Sequence, residues 1–265
     1  MNILEEIARR TKERVEARKL KSLPPEKLAE EVNKMVNISG DNSFPFEKAL
    51  ASKDMAFICE IKKASPSKGV IAEDFPFLEI AKDYEAGGAA AISVLTEPFY
   101  FQGSDRYLRE IADTVKIPLL RKDFTVDSYM IYEAKLLGAS AVLLICSILD
   151  RDTLAEYIAL AHSIGLSALV EAHSEEEMVM ALDAGARIIG VNNRDLKTFE
   201  VDITLSGRLR SLAPPDVLFV SESGISCEKD ILTLRQNGVD AVLIGETLMR
   251  SPDKRAALEK LRGAV

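Results

Sequence analysis

The sequence contains no tryptophan, two histidines and three cysteines among its 265 residues. The cysteines lie far apart and form no CxxC pair, so we expect reduced thiols and no disulfide framework. With so few histidines and no cysteine pair, a metal site is not expected. No apolar run is long enough to cross a bilayer, and the first twenty residues lack the apolar centre of a signal peptide. We therefore expect a cytoplasmic protein that does not bind membranes.

The chain also lacks an excess of basic residues. Its formal net charge is −8, which argues against broad nucleic-acid binding because that function needs a concentrated basic surface. A small basic pocket for an anion remains compatible with this charge. The composition, 47% hydrophobic and 29% charged, is that of a globular protein. The length suits two modest domains or one large α/β barrel.

Four stretches resemble one another: EAGGAAAISVL (85–95), LLGASAVLLI (136–145), DAGARIIGV (183–191) and RQNGVDAVLIG (235–245). Each has a glycine that ends a helix-like segment, where a positive φ is common, and then an apolar run. The marker glycines follow one another at about 50 residues, which suits two strand–helix units per interval. With the apolar runs between them, the pattern predicts eight strands, at 56–62, 90–95, 118–123, 141–146, 167–172, 187–192, 217–222 and 240–245.

Nearly continuous apolar strands separated by helices indicate parallel pairing with both faces buried. Eight such units predict a (β/α)8 TIM barrel of the α/β class. A doubly wound open sheet is the alternative, but no GxGxxG turn follows the first strand. Residues 1–50 read as an N-terminal helical extension that closes one end of the barrel. We expect residues 1–265 to form a single domain.

Polar residues end five of the eight predicted strands. In CEIKKASPSKG, strand alternation points Glu60 and Lys62 to one face and Cys59 and Ile61 to the other. Any one such residue could be a surface group or a simple ion pair. As a set they predict a polar ligand site, because active sites of these barrels form at the carboxyl ends of the strands. The set is Glu60, Lys62, Lys122, Glu171, Asn192, Arg194 and Glu222.

The last two strands run into glycine turns, SESGIS (221–226) and LIGETL (243–248). Barrels commonly hold a phosphate there through backbone N–H groups, so the two turns together predict a phosphate site. No GxxxxGK[ST] loop and no GxSxG elbow is present in the sequence. His162 reads as a helix residue, whereas His173 follows Glu171 by two positions and shares its predicted face.

Several stretches closely resemble the indole-3-glycerol phosphate synthase family: EIKKASPSKG, SVLTEPFYFQGS, LLRKDF, GASAVLLI, LVEAH, IGVNNRDLKTF, VSESGIS and LIGETLMR. They occur in order from about residue 56 to residue 250, and ILEEIARRTKERV is similar to the N-terminal extension of that family. The resemblance implies a carboxy-lyase of tryptophan biosynthesis. It would close the indole ring of 1-(2-carboxyphenylamino)-1-deoxyribulose 5-phosphate with loss of carbon dioxide and water. It implies no metal and no organic cofactor. We expect no nucleic-acid partner, and a monomer or a weak homo-oligomer.

The resemblance also implies roles for individual residues. Lys122 would be the general acid of ring closure and Glu171 the general base of the dehydration. Lys62 would contact the phosphate or the carboxylate of the substrate, and which lysine donates which proton stays open. Glu60, Asn192 and Glu222 would orient the lysines and bind sugar hydroxyls. The binding residues would be Ser65 and Arg194 as polar contacts, Phe124, Leu143, Leu196 and Phe199 around the aromatic ring, and Ser223, Gly224, Gly245 and Glu246 at the phosphate.

The sequence departs from the family pattern in two places. Without tryptophan, an aromatic residue that some relatives supply from the N-terminal segment is absent or replaced. Glu246 stands where some relatives have serine, so its carboxylate would have to point away from a phosphate. Two other functions stay open: a phosphosugar isomerase or Schiff-base aldolase that uses Lys122, and a non-catalytic phosphate-binding barrel. The second accounts poorly for acids and lysines on four strands.

Overall fold

The computed structural model describes residues 3–39, 43–52, 54–195 and 198–263. Eight parallel strands form a closed barrel in which the first strand pairs with both the second and the last. This closure confirms the predicted (β/α)8 barrel and excludes the open sheet. The strands are β1 Ala56–Ile61, β2 Ala91–Leu95, β3 Leu119–Lys122, β4 Ala141–Ile145, β5 Ser167–Ala172, β6 Ile188–Asn192, β7 Leu218–Glu222 and β8 Ala241–Ile244.

The predicted strand bounds agree with the structure to within one residue at each end, and for β5 they coincide. Lys62, Asp123 and Gly245 lie just past their strands. At those positions the chain leaves the hydrogen-bonded ladder and enters the loops of the barrel mouth. A short antiparallel hairpin in the loop after β1 pairs Ala64–Ser65 with Gly69–Val70.

Twelve α-helices accompany the strands within the described ranges. Five of the described helix starts are capped by a Ser or Asp side chain that accepts a hydrogen bond from a backbone N–H of the first turn, at Ser104, Asp127, Asp150, Ser174 and Asp253. The helices are α1 Ile3–Lys21, α2 Pro25–Ser39, α3 Pro45–Leu50, α4 Phe77–Ala86, α5 Asp105–Ala112, α6 Ser128–Leu136, α7 Arg151–Ser163, α8 Glu175–Asp183, α9 Thr204–Arg210, α10 Glu228–Gln236, α11 Glu246–Arg250 and α12 Lys254–Arg262.

The marker glycines behave as the sequence predicts. All four have positive φ, between 74° at Gly238 and 86° at Gly138, and each follows a helix. A residue with a side chain would be strained in this conformation. The glycines therefore end the helices and let the chain turn directly into the next strand.

Alternation along the strands divides the core into two parts. Inward side chains such as Ile58, Leu120 and Leu169 fill the barrel, and outward side chains such as Cys59 and Ile61 pack against the helices. This arrangement confirms the predicted faces of β1. It also means that the charged residues at inward positions can only lie where the barrel interior opens, at the strand ends.

The helices before β1 confirm the predicted N-terminal extension and attach to the barrel core. Phe46 and Leu50 of α3 are completely buried in the inner core cluster, as is Ile7 of α1. The other end of α1 is held by Arg14, whose Nη2 donates to both oxygens of Asp123 at 2.9 Å. Helix α1 therefore lies over the barrel mouth. Within the residues that the structure describes, no helix is long and apolar enough to cross a membrane.

Candidate active site

A cavity of about 390 Å³ opens at the carboxyl ends of the strands, and all eight strands or the residues directly after them contribute to its wall. Fifteen of the sixteen residues predicted from the sequence line this one cavity. They are Glu60, Lys62, Ser65, Lys122, Phe124, Leu143, Glu171, Asn192, Arg194, Phe199, Glu222, Ser223, Gly224, Gly245 and Glu246. The sixteenth, Leu196, lies outside the described residues.

The centre of the cavity is a lysine held between two carboxylates. Lys122 Nζ donates to Glu171 Oε2 at 2.9 Å and to Glu222 Oε2 at 2.8 Å. All three side chains are largely buried, with 12%, 3% and 2% exposed. The three residues come from β3, β5 and β7, so only closure of the barrel brings them together. Glu222 Oε1 is buried and accepts no hydrogen bond from any described residue.

The three ionisable groups perturb one another in opposite directions. Burial alone would lower the pKa of Lys122, but the negative charges of Glu171 and Glu222 raise it above its ordinary value. Burial raises the pKa of Glu222 to about 7, and Lys122 offsets this only in part. For Glu171 the effect of burial is overcome by Lys122 and His173, which hold its pKa below the ordinary value. The site thus contains a charged lysine, an ionised Glu171 and a Glu222 that titrates near neutrality.

A second acid–base pair lies on β1. Lys62 Nζ contacts Glu60 Oε1 at 2.5 Å, with the carboxylate almost fully buried and the lysine 18% exposed. Gly245 makes this pair possible, because a methyl group in place of its hydrogen would overlap Glu60 Oε1 and would lie 3.1 Å from Lys62 Nζ. Because Gly245 has no side chain, it leaves room for the carboxylate of Glu60. It also exposes backbone to the cavity.

The loop after β6 forms one side of the opening. Asn192 Oδ1 accepts a hydrogen bond from the backbone N–H of Arg194 at 3.1 Å. The Arg194 guanidinium donates to the carbonyl of Phe199 at 3.1 Å, and a single bridge pairs Arg194 with Val201. Phe199 has a φ of 62°, which is uncommon for a residue with a side chain. This loop places Arg194 and Phe199 over the cavity.

Cations surround the carboxylate of Glu246 at the side of the cavity formed by β7 and β8. Arg250 Nε donates to Glu246 Oε1 at 3.1 Å, Lys68 Nζ lies 3.6 Å from the same oxygen, and Arg194 Nη2 lies 3.9 Å from Oε2. Nearby, Ser223 and Gly224 both have positive φ, at 68° and 79°. The carboxylate is thus directed toward basic side chains. Lys68 and Arg250 were not among the predicted site residues.

The opposite wall is apolar and contains further residues that the sequence prediction missed. Phe101 lines the cavity and packs against Phe124, with 6.1 Å between ring centroids. The loop after β2 is folded around Glu97, whose carboxylate accepts the backbone N–H groups of residues 99, 100 and 101 at 2.7 to 3.0 Å. The aromatic residues of EPFYFQGS were the available signal for this wall.

Helix α1 supplies the rest of the apolar wall with Ile3, Leu4 and Ile7. The sequence predicts an N-terminal extension that closes one end of the barrel, but it could not show that α1 reaches the cavity. Among the described residues, the lining from this helix is aliphatic, with no aromatic ring.

The two histidines differ in their relation to this site. His162 lies in α7, packs edge-on against Phe44 with 5.7 Å between the rings, and takes no part in the cavity. His173 lies just behind Glu171, with its Nε2 3.4 Å from Glu171 Oε1. The predicted shared face of His173 and Glu171 is thus partly right: the ring is next to the carboxylate but lines a neighbouring cavity.

The arrangement combines a proton donor, a proton acceptor, a basic side and an apolar wall. Lys122 can donate a proton, Glu171 can accept one, and Lys62 is a second donor within the same cavity. Phe101, Phe124 and Leu143 offer a slot for a flat apolar group. Nowhere in the described ranges do three or more histidine, cysteine, aspartate or glutamate side chains cluster as metal ligands would.

The sequence matches a family of known enzymes over nearly its whole length. The family model described as "Indole-3-glycerol phosphate synthase" matches residues 4–261. A protein of that name from Ruminiclostridium cellulolyticum is 61% identical over 263 residues, which cover 99% of this chain and 100% of the relative. Another from Endomicrobium trichonymphae is 55% identical over 261 residues, covering 98% and 99% of the two chains.

Solved structures of other proteins share the architecture at low sequence identity. A structure of 3-hexulose-6-phosphate synthase is similar with a TM-score of 0.61 and 16% identity, over 80% of this chain and 100% of that one. A thiamine phosphate pyrophosphorylase from Pyrococcus furiosus is similar with a TM-score of 0.58 and 18% identity, over 78% and 93% of the chains. At these identities the likeness supports the barrel fold alone.

Proposed function

The chain belongs to the indole-3-glycerol phosphate synthase family, and from that premise we propose how its barrel mouth closes an indole ring. The substrate is 1-(2-carboxyphenylamino)-1-deoxyribulose 5-phosphate. The ring carbon that carries the carboxylate attacks the sugar carbonyl carbon, carbon dioxide leaves, and loss of water completes the indole. The reaction needs a proton for the carbonyl oxygen, a base for a carbon-bound proton, and a proton for the departing hydroxyl.

Lys122 donates the first proton. Its ammonium group lies at the centre of the cavity, and Glu171 and Glu222 hold it in place through two short hydrogen bonds. As the ring carbon attacks, the carbonyl oxygen becomes an alkoxide, which is more basic than the lysine and takes its proton. The buried surroundings strengthen this charge interaction because little water screens it.

Glu171 removes the proton during dehydration. Its pKa is lowered by Lys122 and His173 against the opposing effect of burial, so it is ionised before the step and can accept a proton. We assign to Lys62 the proton that leaves with the hydroxyl group, since Lys62 is the second lysine of the cavity and Glu60 fixes its position. Asn192 and Glu222 orient these groups and bind sugar hydroxyls.

The phosphate lies on the side of the cavity formed by β7 and β8. Ser223, Gly224 and Gly245 present backbone there, and Lys62, Lys68 and Arg194 supply positive charge. Glu246 contributes its N–H, because its carboxylate is directed toward Arg250 and Lys68. The anthranilate ring occupies the apolar slot between Phe101, Phe124, Leu143 and Phe199, with Leu196 and polar contacts from Ser65 and Arg194 at its edge.

The observation that carries this proposal is Lys122 held between Glu171 and Glu222 inside the cavity. Supplying the anilino-deoxyribulose phosphate should produce indole fluorescence. Lys122→Ala and Glu171→Gln should each lower kcat by about 10²–10⁴-fold while circular dichroism stays native. Turnover like that of the wild type in both variants would contradict the assigned roles.

A Schiff-base aldolase using Lys122 is the rival that the site chemistry allows. Borohydride added with a keto-sugar phosphate would then trap a covalent adduct on Lys122. The acid–base mechanism forms no imine, so we expect no adduct by mass spectrometry. We also propose that the protein acts in the cytoplasm as a monomer or weak homo-oligomer, which gel filtration at several concentrations would test.

A further inference from the structure

His173 is held in a fixed orientation beside the proposed base. It directly follows β5, and Ser174 caps the next helix, α8. The carboxylate of Glu177 in that helix accepts the backbone N–H of His173 at 2.7 Å, and its Oε2 lies 3.2 Å from the ring Nδ1. In the neutral ring, this contact favours the tautomer with the hydrogen on Nδ1. The lone pair of Nε2 is then available.

The available nitrogen lies next to Glu171. Nε2 is buried, has no hydrogen-bond partner in the described part of the chain, and lies 3.4 Å from Glu171 Oε1. The other oxygen of Glu171, Oε2, accepts from Lys122. The four side chains therefore form a line from the barrel centre outward, in the order Lys122, Glu171, His173 and Glu177.

This line ends toward solvent. Glu177 is 22% exposed and His173 is 19% exposed. A second cavity beside the active site has His173 in its wall, and among the described residues it shares only Asn192 with the main cavity. The acids that face this cavity are Asp195, Glu200 and Asp202. Protons can thus be exchanged with water on the His173 side of Glu171 without passing through the substrate cavity.

The charges around His173 also favour its protonated form. Burial alone would lower its pKa, but Glu177, Glu171 and Glu222 raise the pKa of His173 above its ordinary value. The acids of the second cavity add negative charge on the remaining side. An imidazole of this kind is suited to proton transfer.

We propose that His173, oriented by Glu177, returns Glu171 to its ionised form between turnovers by carrying its proton to solvent. The inference rests on the proposed function, in which Glu171 takes a carbon-bound proton in each cycle. The protonated carboxyl of Glu171 gives its proton to Nε2 and becomes a carboxylate. The imidazolium then loses its Nε2 proton to water in the second cavity, whose wall includes His173, and keeps the Nδ1 proton that Glu177 accepts, so the starting tautomer is restored. His173 does not touch substrate in this scheme and acts through Glu171 alone.

The test separates the first turnover from later ones. In His173→Phe and Glu177→Gln, rapid mixing with substrate should give a first turnover close to the wild-type rate, because Lys122, which lowers the pKa of Glu171 more than His173 does, is retained. The steady-state rate should fall by about tenfold or more, because resetting becomes slow. Added imidazole should restore the steady-state rate of His173→Ala, in which the removed ring leaves space for it. His162→Gln is the matched control, since the other histidine of the chain lies outside both cavities.

Three results would overturn the relay. If Lys122 alone takes the proton from Glu171, His173→Phe turns over at the wild-type steady-state rate. If His173 only shapes the site, the first turnover slows together with the steady state and imidazole restores neither. If Glu177 is unnecessary, Glu177→Gln behaves like the wild type. Failure of the proposed function is a separate outcome, seen as no indole product from the unmodified protein.

Discussion

Two neighbouring residues of β3, Arg121 and Lys122, allow a direct comparison between the outer and inner faces of the barrel. Both are buried cations held among carboxylates, two around Lys122 and three around Arg121. Arg121 Nη2 lies 2.8 Å from Asp105 and 3.4 Å from Glu133, as Lys122 Nζ lies 2.9 Å from Glu171 and 2.8 Å from Glu222. Alternation along the strand points Arg121 to the outer face and Lys122 to the inner face.

The outer cluster is Arg121 with the carboxylates of Asp105 and Glu133, and its charged groups contact further groups of the protein. Arg18 of α1 also contacts Asp105 and Glu133, at 2.5 and 2.9 Å, and Arg121 further donates to the carbonyl of Met130 at 2.8 Å. The inner cluster is Lys122 with the carboxylates of Glu171 and Glu222. It borders a cavity, and Glu222 Oε1 has no hydrogen-bond partner among the described residues. The comparison teaches that a buried charge cluster indicates function when it is incomplete and open, whereas a complete one attaches elements of the fold.

The largest expected effect is on the inner face. Lys122→Met should lower kcat/KM by about 10²–10⁴-fold, because it removes the proposed proton donor. The chain should remain folded, since water in the cavity can solvate Glu171 and Glu222. Steady-state kinetics together with urea unfolding would check both parts. If this variant is unfolded, the inner cluster stabilises the fold in the same way as the outer one.

Arg121→Met should lower the stability of the protein and largely preserve its turnover. Breaking a buried pair costs about 3–5 kcal/mol, and we expect the lower end because Arg18 continues to neutralise Asp105 and Glu133. Turnover per folded molecule should change far less than in Lys122→Met. Urea unfolding measures the loss, and active-site titration corrects the rate for unfolded protein. An equal loss of turnover in the two variants would remove the distinction between the faces.

Gly190→Ala tests how the inner cluster is accommodated. A methyl group at this position of β6 would overlap Glu222 Oε1, so the carboxylate would have to move away from Lys122. We expect a loss of about 1–3 kcal/mol in stability and of about tenfold in kcat. The matched control is Glu222→Ala, which makes room for the methyl group. In that background Gly190→Ala should cost much less, because only the 3.2 Å approach to Leu169 Cδ1 remains, and equal costs in both backgrounds would contradict the contact with Glu222.

Glu222, on the inner face, makes the stability of the protein depend on pH. In the folded protein it holds its proton up to about pH 7, because burial disfavours the charge, while an exposed glutamate releases it near 4.5. The folded state therefore binds more protons between these values, and this group makes the protein less stable as pH rises through the window. Relative to the wild type, Glu222→Gln should become more stable from pH 4.5 to 7, by on the order of 1 kcal/mol or more. Urea unfolding of both proteins across this range would show a constant difference if the prediction were wrong.

The smallest effect belongs to an exposed pair on α1. Arg9 and Glu13 are in contact at 2.5 Å but are 49% and 63% exposed. Arg9→Ala should lower stability by only about 0.3–0.5 kcal/mol, and salt should screen even that. Thermal unfolding at low and high salt measures it. A loss of stability as large as that expected for Arg121→Met would mean that burial does not determine how much a charged pair stabilises this protein.

The fold and most of the site could be predicted because they follow from local patterns. Strand length, apolar periodicity and glycines with positive φ are properties of short segments, and they placed all eight strands to within a residue at each end. Side-chain parity then placed Lys122 and Glu171 on the inner face. The residues that were missed, such as Lys68, Phe101 and Arg250, lie in loops or on helices, where no strand alternation shows which way a side chain points.

What the sequence by itself determined is the set of strands and the inward direction of their polar ends, because a β-strand alternates whatever it packs against. Only the tertiary structure decided which of those ends meet. Lys122 finds Glu222 across 100 residues of chain, and Gly190 is needed because Glu222 of the next strand occupies its space. The placement of His173 behind Glu171, and of α1 over the mouth, likewise depends on how separate elements pack. Such distances are set by closure of the barrel, which no short segment contains.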